Sequence, residues 1–166
     1  WSLKGKKVLV LGAGGVARSV VHGLSARGAE VRLAARTQSR AEGIAKAIPC
    51  AVVDWGNRHA SPVDVVVNCT PVGMHPMVDE SPLESSFIKP PMVVMDTIYN
   101  PESTLLVRSA REKGAVAVTG LDMFIAQAAA QFKLFTGEAA PADLMRQVAR
   151  NALSSRVGRP LAQGAG

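Results

Sequence analysis

Lys7-Val8-Leu9-Val10-Leu11-Gly12-Ala13-Gly14-Gly15-Val16-Ala17 decides the fold. Its first five residues, rich in Val and Leu, read as a strand buried on both faces. The glycines end that strand. Val16, Val20, Val21 and Leu24 then recur at helical spacing across residues 14–27, and Gly28 closes the helix. Strand, glycine-rich turn and helix, in that order, match G-x-G-x-x-A. Gly12 permits the tight turn, Gly14 lets the backbone approach a pyrophosphate, and Ala17 lets helix pack closely on strand. The helix N-terminus offers amides and a partial positive charge to phosphates. The competing reading is a glycine-rich turn with no ligand. The flanking strand and helix favour a dinucleotide, although methyltransferases share a similar loop.

The same alternation continues along the chain. Residues 31–35 read as a second strand and 39–48 as a helix, with Ser39 and Glu42 matching a capping box and Pro49 beyond its end. Further strands are predicted over 51–54, 63–68, 92–96 and 115–119, and helices over 104–113, 121–135 and 142–155. Five prolines between residues 70 and 91 mark that stretch as mostly loop. The pattern predicts an α/β, Rossmann-like, doubly wound and mostly parallel six-stranded sheet of order 3-2-1-4-5-6, with helices on both faces. A single domain is expected over 1–157, followed by a flexible tail over 158–166.

Of the 166 residues, 48% are hydrophobic and 4% aromatic, which excludes disorder and suits one packed domain. No apolar run is long enough to span a bilayer. The net charge of +6 is uneven: residues 1–50 hold 9 basic and 2 acidic side chains, whereas residues 51–100 hold 2 and 6. Nucleic-acid binding is disfavoured, because one Tyr and two Trp give little for bases to stack on and no dense Lys/Arg run occurs. Cys50 and Cys69 form neither a disulfide framework nor a zinc spacing, so no metal is expected. Each abuts a predicted strand and reads as a small buried hydrophobe. A reducing, cytoplasmic compartment is expected (plastid stroma for a plant-like source). Trp1 stands where an initiator Met would, so a piece of a longer protein is expected.

The end of the second strand selects the cofactor. An NAD site wants Asp or Glu there, on the ribose hydroxyls. This chain has Ala35-Arg36-Thr37-Gln38-Ser39-Arg40, with no acid. Arg36 and Arg40 can pair with a 2′-phosphate, and Arg36 can also stack on adenine. The pattern favours NADP(H) over NAD and over S-adenosylmethionine. The alternative is that both arginines are solvated surface charges.

With these residues placed, nearly the whole chain resembles the NADP-binding domain of the shikimate dehydrogenase family. The resemblance rests on five motifs in order: the Gly12 to Ala17 loop; Arg36-Thr37 with Arg40; Asn68-Cys69-Thr70-Pro71-Val72-Gly73-Met74; Asp96-Thr97-Ile98-Tyr99-Asn100-Pro101; and Gly120-Leu121-Asp122-Met123-Phe124-Ile125-Ala126-Gln127. The wording around Met74-His75-Pro76 and after Gly120 is most similar to the dehydrogenase half of bifunctional dehydroquinate dehydratase–shikimate dehydrogenases.

The resemblance implies roles. Gly12, Ala13, Gly14, Gly15 and Val16 would meet the pyrophosphate, and Arg36, Thr37 and Arg40 the 2′-phosphate. Ala35 stands where the family has Asn, which removes one polar contact. Thr70, Thr97, Gly120 and Met123 would lie along the nicotinamide and its ribose; for Met123, plain core packing is an equal alternative. Tyr99 and Gln127 would touch shikimate or 3-dehydroshikimate; for Gln127 a helix-to-loop hydrogen bond is the alternative. In this family the proton transfers belong to a Lys and an Asp of a separate N-terminal substrate domain, so no catalytic pair is expected in this chain. His22, His59 and His75 read as solvated residues without visible partners. The implied function is reversible reduction of 3-dehydroshikimate to shikimate, with this piece binding NADP(H) but nearly inactive alone. The competing functions are a non-catalytic NADP-binding regulatory module and a quinate relative using NAD.

Overall fold

The apolar runs assemble into one six-stranded parallel sheet in the computed structural model, which describes residues 1–156. The strands are β1 Lys7–Leu11, β2 Glu30–Ala34, β3 Ala51–Val53, β4 Val65–Asn68, β5 Val93–Asp96 and β6 Val116–Val118. Their order is 3-2-1-4-5-6, as the alternation predicts. The helices are α1 Gly15–Ser25, α2 Gln38–Ala45, α3 Leu105–Glu112, α4 Gly120–Thr136 and α5 Ala142–Arg156. The expected tail, 158–166, lies outside the described residues.

Side-chain alternation along the strands builds two cores. Val8 and Val10 join Leu33, Val65 and Val67 in packing on Ala17 and Val21 of α1 and on Ala41 and Ile44 of α2. Leu9, Leu11, Val66 and Val94 pack on Leu106 and Ala110 of α3. Val8, Leu9, Val10 and Leu11 are all at most 1% exposed, so β1 is covered on both faces. Each such side chain contributes roughly 1.5–3 kcal/mol through its burial.

The parallel register brings the strand ends to a common edge. Leu11 pairs with Ala34 on one side and with Asn68 on the other, and Asn68 pairs with Asp96. The loops after β1, β2, β4 and β5 therefore open on one side. Between β1 and β4 the winding reverses, which is where ligands bind in open α/β sheets.

Most element bounds differ from expectation by one to three residues, α2 for instance ending at Ala45 rather than at residue 48, and two of the differences have a clear local cause. The Ser39–Glu42 capping box does not form, because α2 starts one residue earlier and Ser39 falls inside its first turn. Thr37 is the N-cap, without a side-chain cap bond, and Gln38 Nε2 instead donates to Glu42 Oε1 at 2.9 Å. The strand expected over 63–68 starts only at Val65; Asp64 uses its carboxylate to accept the Lys7 amide at 2.8 Å.

The described residues divide into two compact units, Trp1–Gly120 with the whole sheet and α1–α3, and the stretch from Leu121 onward with α5 and the rest of α4. Within the second, an Arg146–Asp122 ion pair ties α5 to α4. No described helix is long and apolar enough to cross a membrane.

Candidate functional site

The glycine loop shows two different uses of glycine. Gly12 has φ +102 and donates its amide to Ala34 O at 2.8 Å. A Cβ there would stand 2.8 Å from Cys69 O, so the close approach of the β1 and β4 ends requires glycine. Gly14 and Gly15 are the reverse case, since a Cβ on either meets nothing within 4 Å. The packing does not need those glycines, whereas a ligand lying against the backbone would. Gly14 caps α1 with extended backbone, no side chain caps the helix, and its first turn carries no acid. An anion at this N-terminus meets no competing carboxylate. Val16, in that first turn, is 49% exposed.

One cleft of about 200 Å³ gathers most of the expected cofactor residues: Gly12, Ala13 and Gly14 from the loop, Ala35, Arg36, Thr37 and Arg40 after β2, and Thr70 after β4. Arg36, Thr37 and Arg40 are exposed and Ala35 is buried. Among the described residues no carboxylate forms an ion pair with Arg36 or Arg40. Two guanidinium groups without an ion pair and a threonine hydroxyl that makes no cap bond thus line one side of the cleft, a donor set suited to a phosphate. The open backbone at Gly14 and this donor set fit a phosphorylated dinucleotide. Trp55, two residues past β3, lines the same cleft and is absent from the expected set.

Below the cleft lies a polar network that the residue-by-residue reading missed. Asn68 ends β4 and Asp96 ends β5, and both are 0% exposed. Asn68 Nδ2 donates to Asp96 Oδ1 at 3.1 Å and to Val72 O at 3.2 Å. Its Oδ1 accepts from Thr70 N at 2.9 Å and from Thr70 Oγ1 at 2.7 Å. Asp96 also accepts from Ile98 N at 3.0 Å and from Thr104 Oγ1 at 2.7 Å. Thr104 in turn caps α3 by accepting from Val107 N. Burial pushes the Asp96 carboxyl above the usual carboxylate range, while the bonds from Ile98, Thr104 and Asn68 pull it back. The network ties three elements together and engages the Thr70 hydroxyl, leaving that residue's bulk to shape the cleft. Two apolar strands that each end on an amide or an acid were the available signal.

The neighbouring Cys69 thiol is pushed up to about 12, first by burial and then by the Asp96 charge, so it is no nucleophile. Cys50, raised by burial, and Cys69 both pack against the core, as expected of small hydrophobes.

The remaining expected residues fall outside that cleft. Thr97 and Tyr99 follow β5; Thr97 N donates to Asn68 O at 3.0 Å, and Tyr99 is 47% exposed. Gly120 opens α4 against that segment: a Cβ there would stand 2.2 Å from Ile98 O and 2.7 Å from Thr97 O. Gly120 is thus a packing requirement that sets Thr97 and Ile98. Met123, half-buried, and Gln127, exposed, lie on α4 in the second unit.

Lys6 and Asp64 pair at 3.6 Å, but they precede β1 and β4 and so stand at the opposite edge of the sheet. Being about two-fifths exposed, the pair is a surface contact. No cluster of three or more metal-ligating side chains occurs among the described residues. His22 and His75 are exposed, as expected. His59 is not simply solvated: its ring packs edge-on to Phe87 at 5.5 Å, its Nε2 is buried without a hydrogen-bond partner, and burial lowers its pKa.

Comparison with known proteins agrees with this geometry. The family model described as shikimate/quinate 5-dehydrogenase matches residues 1–104, and the model of the shikimate 5′-dehydrogenase C-terminal domain matches 120–150. The chloroplastic bifunctional 3-dehydroquinate dehydratase/shikimate dehydrogenase of Arabidopsis thaliana is 40% identical over 149 residues, covering 88% of this chain and 25% of the relative. Shikimate 5-dehydrogenase from Thermus thermophilus, solved with NADP(H) and shikimate, superposes with a TM-score of 0.80 at 35% identity, covering 90% of this chain and 56% of that one. Quinate dehydrogenase from Corynebacterium glutamicum, solved with NAD, gives 0.80 at 32% identity, covering 87% and 54%. The chain spans a quarter of the first and about half of the other two. The motifs, the strand order and the matched models agree, and the chain belongs to the shikimate/quinate 5-dehydrogenase family.

Proposed function

We propose that this chain is the NADP(H)-binding part of a shikimate dehydrogenase, an oxidoreductase interconverting 3-dehydroshikimate and shikimate. The observation that carries the reading is the cleft's ribose end, where Arg36, Arg40 and Thr37 gather and no carboxylate intervenes. When bound, the dinucleotide supplies the hydride. The chain's own residues bind and orient: the backbone at Gly12, Ala13, Gly14 and Gly15, with Val16, receives the pyrophosphate, Arg36 and Arg40 neutralise a 2′-phosphate, and the Asn68–Asp96 network holds Thr70 and the segment from Thr97 to Tyr99 in place. Thr97, Gly120 and Met123 lie along the nicotinamide side, and Tyr99 and Gln127 contact the shikimate ring. Fixed orientation of this kind supplies a large share of an enzymatic rate. The family resemblance implies that proton transfer belongs to a separate domain, and the Lys6–Asp64 pair, at the opposite edge of the sheet, offers no substitute for it.

Calorimetry with NADPH and NADH tests the cofactor, and an assay of this chain with shikimate and NADP⁺ tests the division of labour. We expect NADPH to bind at least about tenfold tighter per charge-assisted bond made to the 2′-phosphate, and turnover to be nearly absent. Full turnover by this chain refutes the need for another domain. A second reading, a quinate-type enzyme using NAD, is favoured by the similarity to the Corynebacterium glutamicum protein solved with NAD. NADH binding at least as tightly as NADPH would favour it, and turnover of quinate by the full-length protein would decide it.

A further inference from the structure

Trp55 and Arg36 leave neighbouring strands in step. Ala34 of β2 pairs with Val53 of β3, and two residues further along each chain stand Arg36 and Trp55, both lining the cleft. The indole is held from several sides. The Arg58 guanidinium lies 4.3 Å from the centre of the Trp55 ring. Arg58 Nη1 donates to Trp55 O at 2.6 Å, and its Nε donates to Pro82 O at 3.0 Å. Arg58 is itself no part of the cleft lining, so it braces the ring without facing the ligand. Trp55 also packs against the core cluster of Leu9, Leu11 and Val94. Asp54 Oδ1 accepts the Gly56 amide at 2.8 Å, fixing the turn that carries the indole. An aromatic ring braced in this way loses little entropy on meeting a flat ligand, and a purine is the flat part of a dinucleotide beside its phosphorylated ribose.

We propose that Trp55 is the adenine-contacting wall of this cleft and that Arg58 is its positioning residue. The proposal rests on the cofactor reading above and adds the residue that recognises the base. Trp1, the other tryptophan, is 80% exposed, so Trp1→Phe leaves Trp55 as the only indole emitter. In that background NADP⁺ and adenosine 2′,5′-bisphosphate should quench Trp55 emission, and nicotinamide mononucleotide should not. By calorimetry Trp55→Ala should weaken both adenine-bearing ligands about tenfold, a typical loss for one base–aromatic stack, while Trp55→Phe stays within about threefold. Arg58→Gln should lower the fluorescence anisotropy of Trp55 before any ligand is added. The quench of Trp55 in the Trp1→Phe chain, which keeps the indole in place, keeps the test decisive if the Ala variant folds poorly. Unchanged Trp55 emission at calorimetric saturation, or unchanged affinity in Trp55→Ala, overturns the proposal alone. Failure of the unaltered chain to bind NADP⁺ overturns the cofactor reading and this proposal together.

Discussion

Gly120→Ala separates packing from binding, because a methyl at this position has nowhere to go. Its carbon would stand 2.2 Å from Ile98 O and 2.3 Å from the Ile98 carbonyl carbon. Ordinary carbon–oxygen contacts are about 3.3 Å, so relief takes a movement of about 1 Å. The atoms in the way are backbone, and Ile98 N donates to the buried Asp96 carboxylate at 3.0 Å. Overpacking costs about 1–3 kcal/mol and a disturbed bond to a charged acceptor about 1.5–3 kcal/mol. The better helix propensity of Ala, about 1 kcal/mol in a helix interior, returns less than that here, because Gly120 is the first residue of α4. The net is a loss of roughly 3 kcal/mol, or a melting point lower by roughly 6–12 °C for a chain of this size. Gly14→Ala is the control, since its methyl enters open space on a backbone of φ −89 that any residue adopts. It should melt within about 2 °C of the unaltered chain, within the usual ±0.5 kcal/mol of a strain-free surface change, yet bind NADPH at least about tenfold more weakly, the equivalent of 1.4 kcal/mol lost where the pyrophosphate approaches. Differential scanning calorimetry and titration calorimetry on both variants give the four numbers. A Gly120→Ala chain that melts normally refutes the packing account, and a Gly14→Ala chain with full affinity refutes the assignment of the loop.

Other expectations follow from the charges in and below the cleft. Arg36→Ala and Arg40→Ala should each weaken NADPH about tenfold and leave NADH within about threefold, because each removes one charge-assisted bond to the 2′-phosphate; equal losses for both nucleotides would place the arginines elsewhere. Asp96 holds its proton more tightly folded than unfolded, so its ionisation disfavours folding: its contribution is most favourable below about pH 4 and is lost as pH rises from there through the raised folded value. The melting-point difference between Asp96→Asn and the unaltered chain should therefore shift in favour of the Asn variant across that acid range; a difference flat in pH would sink the assignment. With its thiol pushed up to about 12, Cys69 should resist alkylation at pH 8 until the chain unfolds, as mass mapping of iodoacetamide adducts would show.

The sheet was legible because its signals are local and repeated. Apolar pentads, a glycine turn and amphipathic stretches each declare themselves within a dozen residues, and the strand order then follows from doubly wound topology. Errors fell where neighbouring polar residues compete for one role. At the start of α2, Thr37, Gln38 and Ser39 could each begin the helix, and Gln38 won by reaching Glu42. Asn68 and Asp96 are 28 residues apart, and their bond exists only because β4 and β5 align end to end. Trp55 was illegible for the same reason: its neighbour in the cleft is Arg36, brought alongside by β2–β3 pairing. Its brace, Arg58, reads in sequence as one more surface cation.

Ala35 shows how fold and site share a residue. It is 7% exposed and belongs to the core cluster beneath α1 and α2, yet it also lines the cleft beside Arg36. A polar side chain there must either reach the cleft or lie buried without a partner, which costs about 1–3 kcal/mol. Ala35→Asn should therefore lower the melting point of the ligand-free chain, and NADPH should recover the loss by giving the amide a phosphate oxygen to donate to. The rise in melting point on adding saturating NADPH should be larger in the variant than in the unaltered chain, since a ligand stabilises the folded state by its occupancy and affinity there. NADH, lacking the 2′-phosphate, should produce no such excess. Equal ligand-induced shifts in the two chains would mean that the amide never reaches the cleft, and that Ala35 serves only the core.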